Sequence, residues 1–116
     1  RAAQSPEPRT GGANGAASFL ALAGDDTMPA PLVPLDALLK FPERAALLGI
    51  RAARVVAELE IDRDGIVRAV RVWTSAGRDF DAEVLAKLPA VRFSPARRDG
   101  KPIAVRALIP IRFRLR

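Results

Sequence analysis

Apolar residues fall at every second position from Ile103 to Leu115: Ile103, Val105, Ala107, Ile109, Ile111, Phe113 and Leu115, with Arg106, Arg112 and Arg114 among the alternates. That is the period of a strand with one buried face, whereas a helix would scatter the same residues around its circumference. Pro110 belongs to the alternate set, and because it cannot donate to a ladder it predicts an edge strand. Upstream, Val55, Ala57, Leu59 and Ile61 alternate with Val56, Glu58 and Glu60, Asp64-Gly65 reads as a hairpin turn, and a second strand runs from Ile66 to about Ser75. A two-residue loop at that turn sets Leu59 opposite Val70 and Ala57 opposite Val72 on the core side. On the other side it sets Glu58 opposite Arg71 and Val56 opposite Trp73, a charge pair beside an apolar pair.

Between these runs the period changes to that of helices. Phe41 to Gly49 reads as a short helix with Pro42 in its first turn and Gly49 just past its end; Leu35 to Lys40 predicts a preceding helical turn, separated from it by Pro42. Asp79 is the expected cap of another helix carrying Phe80, Val84, Leu85 and Leu88 on one stripe, which Pro89 should end. Residues 1–34 have no sustained period and are rich in glycine, alanine and proline, so they predict a flexible linker, with the domain occupying 35–116. Residues 1 to about 17 contain no aliphatic side chain larger than alanine and are expected to be disordered and dispensable.

Composition narrows the chemistry. The chain of 116 residues has no cysteine and no histidine, which removes disulfides, thiolate metal sites and the usual nucleophiles and bases. An enzyme is the least supported class, and no cofactor or metal is implied; Asp62 and Asp64 read as turn chemistry rather than as a cation site. Nineteen basic against thirteen acidic residues leave a net charge of +6, compatible with acidic partners or nucleic acid. The clearest basic cluster, Arg97, Arg98 and Lys101, has no aromatic platform for stacking bases, so solvated loop charge is favoured over phosphate contacts. No apolar run approaches the roughly 18 residues of a membrane span.

The order helix, hairpin, helix, strand, with its punctuation, resembles the C-terminal domain of the TonB family. The resemblance rests on Phe41-Pro42 with Gly49-Ile50, Val55 through Ile61 with Asp64-Gly65, Val67 with Val70 and Val72, Phe80-Asp81, Arg92-Phe93 with Pro95-Ala96, Gly100-Lys101-Pro102, and Ile109-Pro110-Ile111 with Phe113. Ala53 stands near a usual family glycine, with one extra residue, and Pro89 falls inside the family's second helix. The resemblance implies an α+β fold: a three-stranded antiparallel sheet with two helices packed on one face. It further implies a periplasmic energy-transducer module, anchored to the inner membrane in the full-length protein. Such a module binds an outer-membrane TonB-dependent receptor by adding the receptor's TonB-box peptide to the final strand, and engages ExbB and ExbD through a transmembrane anchor not in this chain. A stand-alone periplasmic adaptor or assembly module of the same fold is the first alternative, and a basic nucleic-acid-binding domain, argued only from charge, is the second. A homodimer is compatible with either of the first two.

Candidate contact residues come from two sources. The position of Pro110 puts Ala104, Arg106, Leu108, Arg112 and Arg114 in the set whose backbone groups face the open edge, where a peptide strand would pair. The alternative occupant of the upper edge is internal, Arg92 to Ala96 folding back across Asp99-Gly100. The family resemblance adds the segment before the aromatic-proline pair, here Leu38, Leu39 and Lys40 with Phe41, although Leu38 and Leu39 also suit a purely structural role. Trp73, on the face away from the helices, either anchors an interface or is covered by Phe19 to Leu22.

Overall fold

The computed structural model describes residues 19–116; the expectation of disorder for residues 1 to about 17 lies outside the described residues. In chain order the elements are β1 (Leu20–Ala21), β2 (Ala30–Pro31), α1 (Leu35–Leu38), α2 (Glu43–Leu47), β3 (Ala52–Ile61), β4 (Val67–Thr74), α3 (Arg78–Lys87), β5 (Phe93–Ser94), β6 (Ala96–Arg98), β7 (Lys101–Ile103) and β8 (Val105–Arg114). The long alternating run is β8, and it lies antiparallel to β3 over ten successive rungs from Ala52↔Arg114 to Ile61↔Val105. On β3 the odd positions Val55, Ala57, Leu59 and Ile61 are fully buried, and on β8 Val105, Ala107, Ile111 and Phe113 are buried beside them. One face of this pair is therefore apolar along its whole length, as the period of two requires.

The β3–β4 hairpin keeps Leu59↔Val70, Glu58↔Arg71 and Ala57↔Val72, as the sequence predicts. Val56 meets Thr74 rather than Trp73, because the register shifts between Val56 and Ala57 and leaves Trp73 as the extra residue of a bulge. The turn is also longer than the two residues expected. The Asp62 N–H donates to the Ile66 carbonyl at 3.0 Å, while Asp62 Oδ1 accepts from the N–H groups of Asp64 at 2.9 Å and Ile66 at 3.0 Å. Arg68 closes on the other carboxylate oxygen at 2.8 Å. Burial pushes the Asp62 carboxyl up, but these donors outweigh it and hold it below its usual range. Gly65 adopts φ +82°, and a Cβ there would stand 1.8 Å from the Phe93 carbonyl oxygen. Only glycine fits both the left-handed turn and that approach.

The helices cover the apolar face. Pro42 separates α1 from α2, and α3 begins after Gly77 rather than at Asp79. Asp81, one turn in, takes over the anchoring: its carboxylate accepts from the Ala76 N–H at 3.2 Å and from the Ser75 hydroxyl. Phe80, Val84 and Leu88 are buried, but Leu85 is exposed, since it sits about 100° around the helix from Val84. The helix ends at Lys87 and Pro89 lies in the following 3-10 turn, Leu88–Ala90. Phe80 is the middle of an aromatic stack, edge-on to Phe41 at 5.2 Å and to Phe113 at 5.0 Å between ring centroids. This stack joins α3, the α2 entry and the end of β8 in one core with Leu59, Val70, Val72, Ile109 and Ile111.

The sheet is four-stranded, not three-stranded, with the order β1-β8-β3-β4. From residue 19 the segment expected to be linker is laid along the domain. β1 pairs parallel with Val105 and Arg106 of β8, Thr27 bridges to Arg97, β2 pairs with β5, and the Leu32 N–H donates to the Arg92 carbonyl. Leu22 packs on a second small core of Ala96, Val105 and Ala107 with Ile103 and Ile109. The segment is latched by Arg98, whose guanidinium grips both Asp26 oxygens at 2.9 and 2.8 Å and also donates to the Ala21 carbonyl at 3.1 Å. That grip, reinforced by the Ala23 N–H, draws the Asp26 carboxyl down to about 2. β6 and β7 form their own hairpin around Asp99-Gly100, so Arg92 to Ala96 do not occupy the edge of β8.

Three outcomes follow from this packing. Phe113→Ala should cost about 3–5 kcal/mol in chemical denaturation, whereas Arg112→Ala, on the exposed face, should stay within about 0.5 kcal/mol. Gly65→Ala should cost more than about 2 kcal/mol, since strain and overpacking act together. Because the Asp26 pKa is lowered on folding, its contribution is fully present above the ordinary carboxylate pKa near 4 and is lost as pH falls toward 2. Thermal melts of the wild type and Asp26→Asn should accordingly differ at pH 6 and converge near pH 2.

Candidate peptide-binding edge

Two hydrogen bonds fix which backbone groups of β8 face outward. The Leu20 N–H donates to the Ala104 carbonyl at 2.9 Å on the outer side, and the Leu115 N–H donates to the Arg51 carbonyl at 2.8 Å on the inner side. Even-numbered positions therefore point N–H and C=O away from β3, and odd-numbered positions point toward it. Pro110 is one of the outward set, so its missing N–H removes nothing from the ten-rung ladder.

The expected edge residues divide into two groups. Ala104 is buried and its carbonyl is taken by Leu20; Arg106 lies opposite Ala21, with the Leu20 carbonyl set against its N–H by the parallel register. The side chain of Arg106 is engaged as well, donating twice to Glu60 at 3.2 Å across the strands. Leu108 and Arg112, with Pro110 and Arg114 between and beyond them, have no strand partner on their outer side among the described residues. The upper edge is closed by the chain's own β1, and the lower edge is open.

Beside the open part lies a groove of about 500 Å³, lined by Asp36, Leu39, Phe41, Arg112, Phe113, Arg114, Leu115 and Arg116. The segment before Phe41-Pro42 is held there from behind: Glu83 on α3 accepts from the Lys40 N–H at 2.8 Å and from Lys87 Nζ at 2.7 Å. Burial raises the Glu83 carboxyl, but these two donors dominate and keep it below its usual range. Arg116 reaches over to Asp36 at 2.8 Å and ties the end of the chain to α1.

The structure thus brings Leu39, Phe41 and Arg112 together, keeps Leu108 on the open edge, and leaves the other expected contacts elsewhere. Lys40 is exposed but does not line the groove, Ala104 and Arg106 are covered by β1, and Trp73 is 61% exposed on β4, at the opposite side of the sheet. Phe19 to Leu22 run along β8 and so do not cover Trp73. Asp36, Phe113, Leu115 and Arg116 belong to the groove and were not singled out as contacts. The arginines at 112, 114 and 116 are the signal that points to this end of the strand. Of the basic hairpin cluster, Arg98 is committed to Asp26, which leaves Arg97 and Lys101 as its exposed members.

The small α+β domain thus presents a half-open strand beside a groove lined by both apolar and charged side chains. Such edges recruit extended peptide. The chain belongs to the TonB C-terminal domain family: residues 37–115 match the family model described as Gram-negative bacterial TonB protein C-terminal. No curated protein matches it.

Proposed function

We propose that this domain is a periplasmic TonB-like module that receives a peptide segment of an outer-membrane transporter by strand addition at Leu108 to Arg114. In this reading it couples that transporter to inner-membrane energy through an ExbB/ExbD-like complex. The observation that supports it is the unpaired outer side of β8 next to the groove containing Leu39 and Phe41. An added strand gains backbone hydrogen bonds at Leu108 and Arg112, one fewer donor at Pro110, and an apolar slot for alternate side chains. The family membership supports reading the partner as an outer-membrane transporter and the compartment as the periplasm. A partner adaptor without energy coupling would use the same edge.

The test is amide hydrogen exchange with and without a TonB-box peptide. Slowing at Leu108 and Arg112 with no change at Arg106, already paired to β1, is the expected result; protection of Leu108 and Arg112 without any peptide would sink the reading. Leu108→Pro removes one outward N–H and should weaken peptide binding about fivefold, the worth of one hydrogen bond of ~1 kcal/mol. Ile109→Pro instead removes an inward donor of the β3–β8 ladder and should unfold the domain.

A further inference from the structure

The exposed face of the sheet is charge-compensated at one end and purely basic at the other. Glu60 pairs with Arg106 at 3.2 Å across to β8, and two residues along β3 Glu58 pairs with Arg71 at 3.4 Å across to β4. Toward the other end, Val56 stands opposite Pro110, Arg54 opposite Arg112, and Ala52 opposite Arg114. Directly opposed like charges are destabilising in a sheet. Among the described residues no carboxylate answers Arg54, Arg112 or Arg114; Asp36, the acid at this corner, is engaged by Arg116. All three free arginines are exposed.

This corner coincides with the open edge, and strand parity connects the two. On β8 the residues that offer backbone groups outward are also those whose side chains lie on the exposed face. A strand added at Arg112 and Arg114 sets two of its own side chains beside those guanidiniums, separated by one side chain that turns to the opposite face. That face is the groove, with Leu39, Phe41, Phe113 and Leu115 as its apolar lining. Resting on the strand-addition reading, we propose that the peptide accepted here carries acidic residues at alternate positions, i and i+2, against Arg112 and Arg114, with an apolar residue between them in the groove. The arginine corner is then a specificity device: it selects acidic extended peptide and rejects basic sequence.

Three palindromic peptides, which fit either strand direction, separate this inference from its premise: acetyl-TVDVDVT-amide, TVSVSVT and TVKVKVT, the last two blocked in the same way. Amide shifts and exchange at Leu108 and Arg112 should report binding in the order acidic, neutral, basic, with roughly fivefold between acidic and neutral at low salt and less at high salt, as two exposed ion pairs allow. In Arg112→Glu/Arg114→Glu the order should reverse. That variant also removes the Arg54–Arg112 repulsion, so it should remain folded, which its melting temperature checks. Equal protection by all three peptides would leave strand addition standing and overturn the charge assignment. No protection by any of them would remove strand addition and the inference with it. Binding of phosphatidylglycerol vesicles that is lost in the double variant, with no preference among the peptides, would give the corner to a membrane surface and overturn the peptide assignment.

Discussion

The ten-rung pairing of β3 with β8 is the constraint on which everything else depends. Because a strand alternates its side chains between two faces and its backbone groups between two edges in the same rhythm, one register decides both. With Val105, Ala107, Ile111 and Phe113 committed to the core, Leu108, Pro110, Arg112 and Arg114 have no choice but to show both their side chains and their backbone groups outward. A slip of one residue would bury arginines and expose the aromatic stack of Phe41, Phe80 and Phe113. The position of the open edge is therefore a by-product of core formation, and it needs no separate device to set it.

The N-terminal segment completes what the domain alone leaves unfinished. Without it, Ala96, Val105 and Ala107 would lose Leu22 as their cover, and the backbone of Ala104 and Arg106 would face solvent. Its attachment is polar as much as apolar: the β1–β8 and β2–β5 pairings, the Thr27–Arg97 bridge and the bidentate Arg98–Asp26 pair hold a stretch with few large side chains. The Asp26 side chain is only 3% exposed, which is why breaking either partner matters more than for an ordinary surface pair. The same segment sets the length of edge on offer, since it ends the accessible part of β8 at Leu108.

The central hairpin, the final strand and both main helices were legible in the sequence because each had a long period or firm punctuation. What was not legible came from contacts distant along the chain. Leu20, Asp26 and Thr27 sit in a Pro/Gly/Ala-rich stretch with no period, and only the three-dimensional proximity of Ala104, Arg97 and Arg98 gives them partners. A regular ladder carried through Trp73 sets it opposite Val56, and no local residue announces the bulge that displaces it. Helix α3 starts at Arg78, after Gly77, because Asp81 and Ser75 satisfy the entry, a solution that competes with a cap at Asp79. The groove is half legible: the sequence points to Leu39, Phe41 and Arg112 separately, but that they share one cavity with Arg114 and Arg116 depends on how α1 docks.

An open strand edge is a hazard to any protein that keeps one, because it can pair with another copy as readily as with a partner. Here the residues that define the site also limit that hazard. Pro110 interrupts the row of donors, and the outward arginines oppose self-pairing: a two-fold antiparallel pairing centred on Arg112 sets that residue against its own copy, and one centred on Pro110 carries Arg114 into β1, which already occupies the outer side of Arg106. Neither alignment brings a carboxylate to the outer face of the joint, since Glu58 and Glu60 belong to β3 and are already paired. A peptide carrying acids on that face meets the opposite condition, with charges that offset the arginines instead of adding to them. Under the proposed reading, the same side chains keep the edge available to one chemistry of partner by making it unfavourable for the domain itself.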